Sequence, residues 1–269
     1  MKVAIIAGKG DFPLYITEQI KDIFVLCVDQ HSSPNLFKKK SETVSLLDPE
    51  SWIKILKKNN ITHVVMAGKF DRPKNIKQPM TEEGIKLLKK IIHLGDNSAL
   101  NLIEKFFNDH GFEILPIYSM IKDCFFPKGF YLEDQISLNL KDFVKESAAT
   151  GIDLLNTISK FDVGQSVVVS SKLVYAIEGQ EGTDFMIDRV GHIYVQNKSY
   201  SDFGPVLIKI PKKSQKNNLD LPVIGLNTVK KCMKLGFSAL VVSSKGTLIV
   251  DLEKVILHIK DNNFCVYAI

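Results

Sequence analysis

The sequence predicts an α/β protein: a Rossmann-like amino-terminal domain with a mostly parallel sheet, joined by a linker to a second α/β domain with a mixed sheet. In the first half, short apolar runs alternate with stretches of helical periodicity, which is typical of parallel βαβ units. The first apolar run leads directly into a glycine-rich loop, as it does in nucleotide-binding sheets. In the second half, some apolar runs follow one another after a few residues, which indicates hairpins.

The first domain is predicted over residues 1–131. Asp11 and Pro13 start its first helix as an N-cap and an early helical proline, and Asp48 and Glu50 flank a proline at the start of the second. Its strands are expected at residues 3–7, 24–28, 63–67 and 112–115, and its helices at residues 13–22, 48–60, 81–93 and from the turn at 95–97 to residue 110.

The second domain is predicted over residues 132–269. Residues 116–136, which span the boundary, mix Pro, Gly, aromatic and charged residues without a clear period, as a linker does. It begins with a long helix at residues 138–158. The remaining helices are expected at residues 183–189, 227–235 and 252–262, and the strands at residues 166–170, 173–177, 206–210, 239–243, 247–250 and 264–268.

Composition narrows the class of protein. The net charge is +5, and lysines contribute most of the excess. Such an excess indicates either a solvated surface or an anionic partner, such as a phosphate-bearing ligand, nucleic acid or a membrane surface. The four cysteines form no CxxC pair and the six histidines form no HExxH motif, which predicts reduced thiols and no zinc-protease site. No apolar run is long enough for a signal peptide or a membrane helix, so we expect a cytoplasmic protein.

The first predicted strand runs into Gly8-Lys9-Gly10, which is similar to the first part of a dinucleotide-binding fingerprint. Pro13 stands where the fingerprint has its third glycine, and proline fills the space that a glycine leaves empty. Asp29, near the end of the second strand, can hold a ribose hydroxyl. Three interpretations are open: a nucleotide loop of altered shape, a tight turn without a ligand, and a site for a nicotinamide or flavin cofactor.

Acidic residues gather where a strand is followed by a helix, since Glu178, Glu181 and Asp184 are spaced three residues apart. Helix capping by Thr183 or Asp184 explains one acid but not three. Clustered carboxylates at a glycine-containing turn suit Mg²⁺, which takes oxygen ligands. Asp220 lies between two leucines and shortly before a proline, where an unpaired acid is costly, so it is either a metal ligand or a turn or N-cap residue.

Basic residues follow two of the predicted strands. Lys209 and Lys212 lie at the end of a strand in the second domain and can bind phosphate as point charges. Lys69 and Arg72 follow the strand at residues 63–67, at the carboxyl edge where the ligands of open α/β sheets gather. The second pair can meet a phosphate or a sugar hydroxyl there, unless the loop is simply solvated.

Six short stretches form an ordered set of motifs along nearly the whole chain. They are IAGKGDFP (6–13), AGKFDRP (67–73), LGD (94–96), DVGQ (162–165), EGQEGTDFMIDR (178–189) and DLPVIGLNTV (220–229). Together they resemble the two-domain UDP-2,3-diacylglucosamine pyrophosphatase family of lipid A biosynthesis. The chain departs from the family pattern at Lys216 and Asn218, where an aspartate and an arginine are usual, and at Asn97, where a second aspartate often follows the GD segment.

The resemblance implies a magnesium-dependent hydrolase that splits the pyrophosphate of UDP-2,3-diacylglucosamine into UMP and 2,3-diacylglucosamine 1-phosphate. It implies Mg²⁺, or Mn²⁺ in its place, as the cofactor, with Asp220, Glu181 and Asp184 as metal ligands. The implied catalytic residues are Asp220, Glu181, Asp184, Lys209 and Lys212. The expected substrate contacts are Gly8, Gly10, Lys69, Arg72, Asp96, Gln165, Arg189 and Gln215.

The expected partners are the lipid-linked nucleotide sugar and, because that substrate carries acyl chains, the inner face of the inner membrane, which the protein would contact peripherally. The resemblance also implies a homodimer, and nucleic acid is not an expected partner. Two alternatives are open. A nicotinamide-dependent oxidoreductase would use the same Rossmann-like half, and a catalytically silent nucleotide-sugar or lipid-binding protein would follow from the changes at Lys216 and Asn218.

Overall fold

The computed structural model describes residues 1–71, 80–91, 93–94, 96–161, 163–196, 202–213 and 221–269, with the backbone alone at residues 96, 97, 195 and 196. The chain divides into an amino-terminal unit, Met1–Lys122, and a carboxyl-terminal unit, Asp123–Ile269. Each unit contains its own sheet. In the described part of the chain, no helix is both long enough and apolar enough to cross a membrane.

The amino-terminal unit contains a five-stranded sheet in the order β3-β2-β1-β4-β5, and all of its strands are parallel. The strands are β1 (Val3–Ala7), β2 (Ile23–Val28), β3 (Ser41–Val44), β4 (His63–Ala67) and β5 (Glu113–Ile114). The helices are α1 (Phe12–Gln19), α2 (Pro49–Lys58), α3 (Glu82–Ile91) and α4 (Asp96–Asp109). The prediction of a Rossmann-like, mostly parallel sheet is confirmed.

The central strands of this sheet are apolar at every position because both of their faces are covered. Every residue of β1 and β2 is buried, so these strands read as continuous apolar runs and not as an alternating pattern. Helix α2 begins as its sequence indicates: the Asp48 carboxylate accepts the amide hydrogen of Ser51 at 3.1 Å. Its Trp52 side chain is buried and donates to the carbonyl oxygen of Ser45 at 2.7 Å.

The carboxyl-terminal unit contains a six-stranded mixed sheet in the order β6-β13-β11-β9-β7-β8, and a separate parallel pair, β10 and β12. The six are β6 (Gly129–Tyr131), β7 (Ser166–Ser170), β8 (Leu173–Ile177), β9 (Val206–Lys209), β11 (Ala239–Val242) and β13 (Cys265–Ala268). The pair is β10 (Val223–Ile224) and β12 (Leu248–Ile249), and the helices are α5 (Leu138–Ile158), α6 (Thr183–Gln196), α7 (Leu226–Lys234) and α8 (Leu252–Asn262). The expected mixed sheet is confirmed.

The six-stranded sheet lies between two layers of helices. On one face, Val168 and Leu207 belong to a core cluster that also contains residues of α6, α7 and α8. On the other face, Val167 and Ile208 belong to a cluster with α5. Neighbouring residues of one strand therefore enter different cores, as the pleat of a strand requires.

Three short strands were not predicted from the sequence. The edge strand β3 has the sequence SETV, and Val44 is its one buried residue. Strand β10 has only two residues, and β6 has three. Strand β6 pairs with β13, so residues 129–131, which the sequence analysis placed in the first domain, contribute to the sheet of the carboxyl-terminal unit.

Candidate functional site

The register of the six-stranded sheet brings polar residues from distant parts of the sequence to one edge. Ser166, at the start of β7, pairs with Lys209, at the end of β9. The next residue of β7, Val167, pairs with Ile177, at the end of β8. Glu178 follows β8 directly, and its amide donates to the carbonyl oxygen of Ser166 at 2.9 Å. Lys209, Ser166 and Glu178 therefore meet where these three strands begin or end.

Glu178 is only 9% exposed, and its carboxylate faces protein donors. Oε2 accepts the backbone amide of Gln165 at 3.0 Å, and Oε1 accepts the hydroxyl of Thr183 at 2.7 Å. Burial by itself raises the pKa of Glu178, but the charge of Lys209 and the hydrogen bonds from Thr183, Ser166 and Gln165 outweigh burial and hold this pKa below its ordinary value. The group is therefore ionised at neutral pH.

Thr183, the first residue of α6, lies between the acid and the base. Its Oγ1 receives a hydrogen bond from Nζ of Lys209 at 2.7 Å and donates its own hydrogen to Glu178. Lys209 and Thr183 are half-buried, so both keep some contact with solvent, whereas Glu178 is buried.

Gly164, in the DVGQ motif, is adjacent to Glu178. Its amide donates to the carbonyl oxygen of Glu178 at 3.0 Å. A β-carbon at Gly164 would lie 2.4 Å from Cγ of Glu178, closer than non-bonded carbons approach, so only glycine fits against the side chain of this acid. The motif is thus explained in part by packing around Glu178.

Glu181 is exposed and pairs with Arg189, two turns further along α6. Nη2 of Arg189 donates to Oε1 of Glu181 at 3.0 Å. The backbone amide of Glu181 itself, together with the Arg189 side chain and the Gly179 amide, outweighs partial burial and lowers the pKa of the Glu181 carboxyl. A β-carbon on Gly179 would lie 2.6 Å from Oε2 of Glu181, so one side of this carboxylate lies against the backbone of the turn.

Asp184 is exposed in the first turn of α6, where negative charge is favoured by the helix dipole. Its carbonyl oxygen lies 3.3 Å from Nζ of Lys231 in α7. The same ammonium lies 2.9 Å from Oδ2 of Asp188, so Lys231 links α7 to α6.

The three acids predicted to cluster therefore have different surroundings. Glu178 is enclosed by protein donors, Glu181 is paired with Arg189, and Asp184 is exposed. Within the described ranges, no three His, Cys, Asp or Glu side chains are close enough to hold a metal ion together. The predicted ligand set contains Asp220, which lies outside those ranges, so that set stays a prediction.

The structure gives the positions of only some of the other predicted site residues. Lys212 is half-buried in the segment that follows β9, and the Gln165 carbonyl accepts the Ile210 amide at 3.1 Å. The backbone of Asp96 begins α4. The side chain of Asp96 and the whole of Arg72 and Gln215 lie outside the described residues.

In the amino-terminal unit, the glycine loop after β1 crosses the loop after β4. The amide of Lys9 donates to the carbonyl oxygen of Lys69 at 2.9 Å, and the amide of Lys69 donates back to Lys9 at 3.0 Å. A β-carbon at Gly8 would lie 2.8 Å from the Lys69 oxygen, and one at Gly68 would lie 2.7 Å from the Lys9 oxygen. The two loops can approach this closely because both positions are glycine.

Gly10 has a different environment. Its φ is +96°, in the left-handed region, and a β-carbon there would meet no atom of the described residues within 4 Å. Gly10 is therefore required by its backbone conformation, and the space beside it is open. The prediction that Gly8 and Gly10 lie against the substrate stays a prediction.

Two lysines and one acid lie together at this loop crossing. Nζ of Lys9 lies 2.5 Å from Oδ2 of Asp71, and Nζ of Lys69 lies 3.8 Å from Oδ1. The hydrogen bond from Lys9 is the main reason that the pKa of Asp71 is lowered. His31 connects this loop to β2: its Nε2 accepts the Asp71 amide at 2.9 Å, and its Nδ1 lies 3.0 Å from the carbonyl oxygen of Asp29.

Four residues at these two places have contacts that the sequence alone does not predict. The sequence indicates Glu178 as one of three clustered acids and Thr183 as a helix cap, but not the hydrogen bonds that join them to each other and to Lys209. It gives no role to Lys9 or His31. Thr183 had a recognisable signal in the motif that runs from 178 to 189, because its hydroxyl is flanked there by acids on both sides.

The two sheets and the polar strand ends define the class of protein: a two-unit α/β protein whose first unit has the parallel sheet and glycine loop of nucleotide-binding folds. Residues 2–124 match the family model of the LpxI N-terminal domain, and residues 136–267 match that of the LpxI C-terminal domain. The chain is also similar to the UDP-2,3-diacylglucosamine pyrophosphatase LpxI of Caulobacter vibrioides. The two are 27% identical over 270 residues, which cover 97% of this chain and 94% of that protein.

The two family models follow each other in order and together span almost the whole chain. The chain therefore belongs to the LpxI family.

Proposed function

We propose that this protein hydrolyses the pyrophosphate of UDP-2,3-diacylglucosamine to UMP and 2,3-diacylglucosamine 1-phosphate. The observation that carries the proposal is the end-to-end similarity to a relative named for action on this substrate, with both family domains in order. In this reaction a water oxygen forms a bond to one phosphorus and the anhydride P–O bond breaks. The leaving oxygen keeps the electron pair, the water oxygen gives up its protons to solvent or to the departing phosphate, and two phosphate monoesters result.

The edge that contains Lys209 suits an anionic substrate. Lys209 presents a half-buried ammonium whose position is supported by Thr183, and Lys212 follows a few residues later. Positive groups fixed beside a diphosphate stabilise the charge that develops as the anhydride bond breaks. We assign Lys209 and Lys212 this role, with Gln165, Arg189 and Gln215 as further substrate contacts.

The amino-terminal unit supplies a second set of contacts in this proposal. Gly10 leaves open space at the carboxyl edge of its parallel sheet, where ligands of open α/β sheets bind. Lys69 lies at the same loop crossing. We assign this edge, with Gly8, Gly10, Lys69, Arg72 and Asp96, to binding the nucleotide or sugar part of the substrate.

Mg²⁺, or Mn²⁺ in its place, is the cofactor of the proposed reaction. The carboxylates of Glu181 and Asp184 are exposed beside one turn, and the lowered pKa of Glu181 keeps it ionised, so both are suitable oxygen donors. With Asp220 they would hold the ion. A bound divalent ion polarises a phosphoryl oxygen and neutralises its charge.

The acylated substrate also suggests where the protein works. We propose that it is cytoplasmic and contacts the inner face of the inner membrane peripherally, helped by its net charge of +5. Binding to anionic liposomes should then weaken as salt rises, because exposed charges are screened. We also propose a homodimer, which light scattering of the purified protein would test.

One assay tests the proposed activity. The purified protein is incubated with UDP-2,3-diacylglucosamine and Mg²⁺, and release of UMP is followed. Binding of the substrate without UMP would indicate the catalytically silent protein that the changes at Lys216 and Asn218 suggest. Tight binding of a nicotinamide dinucleotide without UMP release would favour the oxidoreductase.

A further inference from the structure

Three side chains at the strand ends of the carboxyl-terminal unit form one hydrogen-bonded chain. Nζ of Lys209 lies 2.7 Å from Oγ1 of Thr183, and Oγ1 of Thr183 lies 2.7 Å from Oε1 of Glu178. The three residues come from the end of β9, the start of α6 and the residue after β8. Two strands and a helix are thus required to bring these three side chains together.

The chemistry of the three groups fixes the direction of both hydrogen bonds. An ammonium can only donate, and an ionised carboxylate can only accept. Thr183 has a single hydroxyl hydrogen, so it must give that hydrogen to Glu178 and receive one from Lys209. Each bond involves one charged partner, and such bonds are about twice as strong as neutral ones.

The acid at the end of this chain is itself held firmly. Its second oxygen is occupied by the Gln165 amide, and a glycine at position 164 is needed beside its side chain. Its carboxylate is buried, so interactions with it are weakly screened by solvent. The buried carboxylate of Glu178 is therefore connected to the half-buried ammonium of Lys209 through two successive hydrogen bonds.

We propose that Thr183 and Glu178 are positioning residues that hold the ammonium of Lys209 at the edge of the sheet, where it meets an anionic phosphoryl group. The inference rests on the proposed function for the identity of that anion. Lysine has a flexible stem with several rotatable bonds, and ordering it before the substrate arrives removes an entropic cost from the reaction. Thr183 links Lys209 to Glu178 through its hydroxyl, and the charge of Lys209 also acts on the Glu178 carboxylate.

The first test compares two substitutions of one hydroxyl. Thr183→Ser keeps the hydroxyl and should retain kcat within about threefold. Thr183→Val keeps the shape and removes the hydroxyl, so kcat for UMP release should fall by about 10-fold to 100-fold, less than the roughly 100-fold to 1,000-fold that follows outright removal of a stabilising donor. KM should change much less, because a group that acts on developing charge contributes little to ground-state binding. Thr150→Val removes an exposed hydroxyl in α5 and serves as the matched control.

The second test asks whether Thr183 acts through Lys209. Lys209→Met removes the ammonium, and Thr183→Val added to that variant should cause no further loss, because there is no longer a cation to position. A full additional loss from Thr183→Val would mean that the hydroxyl acts independently, and would overturn the inference. Equal losses from Thr183→Ser and Thr183→Val would also overturn it.

A readout without activity separates the inference from the proposed function. In protein labelled with ¹⁵N-lysine, a hydrogen-bonded ammonium exchanges its protons slowly and gives an NMR signal, which Lys209→Arg would assign. The signal should persist in Thr183→Ser and should broaden in Thr183→Val, because the ammonium loses the Thr183 hydrogen bond and exchanges its protons faster. Absence of UMP release by the wild type would contradict the proposed function alone, whereas a Lys209 signal unchanged in Thr183→Val would contradict the positioning role alone.

Discussion

Pro13 packs directly against Gly68: a β-carbon on Gly68 would lie 2.9 Å from Cγ of Pro13. In a dinucleotide-binding loop, a glycine at the position of Pro13 lets the helix approach the strand. Here the helix keeps its proline, and the glycine lies instead on the neighbouring loop, after β4. The IAGKGDFP and AGKFDRP motifs are therefore two halves of one packing arrangement.

The first prediction concerns the crossing of these loops. Gly8→Ala should lower the free energy of unfolding by about 3 kcal/mol, because the new β-carbon meets backbone atoms and two cross-loop hydrogen bonds must stretch or break. Gly10→Ala should lower the free energy of unfolding by only about 1–2 kcal/mol. Alanine is strained in the left-handed backbone conformation of this position, but its β-carbon would not clash with the described residues. Urea denaturation of both variants measures the difference, and equal losses would contradict the packing explanation.

The two halves of this arrangement could be predicted as separate loops but not as a crossing. Strand β1 and strand β4 have the predicted bounds, because apolar runs next to glycine are a local signal. The meeting of the loops depends on β1 and β4 being neighbours in the sheet, which nothing in either segment encodes. Strand β3 was missed because an edge strand needs few buried side chains, and here only Val44 is buried.

In the candidate site, too, the sequence predicts the segments but not how they come together. The motif from 178 to 189 marked the right segment and even the first residue of α6. It could not show that Glu178 is buried and Glu181 exposed, because a turn follows Glu178, in which the Gly182 amide donates to the Gly179 carbonyl oxygen at 3.2 Å. The partnership of Thr183 with Lys209 depends on the pairing of β7 with β9, which is set by the whole sheet.

The second prediction concerns acid stability. The pKa of Glu178 in the folded protein is below its ordinary value of 4.5, so its ionised form stabilises the fold at neutral pH. That contribution is complete above the unfolded pKa and is lost as the pH falls through the folded pKa. Glu178→Gln should therefore melt below the wild type at pH 7, and the gap should narrow as the pH falls from about 5 toward 3.

Melting curves of both proteins at several pH values between 7 and 3 give this gap directly. Glu253→Gln, which removes an exposed acid in α8, is the matched control. A gap that widens toward acid would mean that Glu178 is stabilised in its protonated form, against the pattern of its hydrogen bonds.

The third prediction concerns the metal. UMP release should vanish when the ion is removed with EDTA and should return with excess Mg²⁺ or Mn²⁺, because a pyrophosphate needs its charge neutralised before it is attacked. EDTA already saturated with Mg²⁺ is the control for effects of the chelator itself. Full activity in excess free EDTA would remove Glu181, Asp184 and Asp220 from consideration as metal ligands.

The last prediction concerns Asp220, which comes immediately before Leu221 in the sequence. Leu221 is 8% exposed, and the carbonyl oxygen of Pro222 accepts the amide of Leu248 at 2.8 Å, next to the pairing of β10 with β12. Asp220→Asn keeps the size of the side chain and removes its charge. If Asp220 binds the ion or orients the attacking water, kcat should fall by roughly 100-fold or more, the scale for a lost catalytic group.

Substrate binding should largely survive this change, because an interaction made only in the transition state adds little to ground-state affinity. Asp261→Asn, at an exposed position of α8, is the control. Initial rates of UMP release are measured together with melting curves, with and without Mg²⁺, for both variants. A near-normal kcat combined with a melting temperature lowered by several degrees would make Asp220 a structural turn residue, because a side chain that only supports the entry to β10 affects the stability of the fold and not the rate.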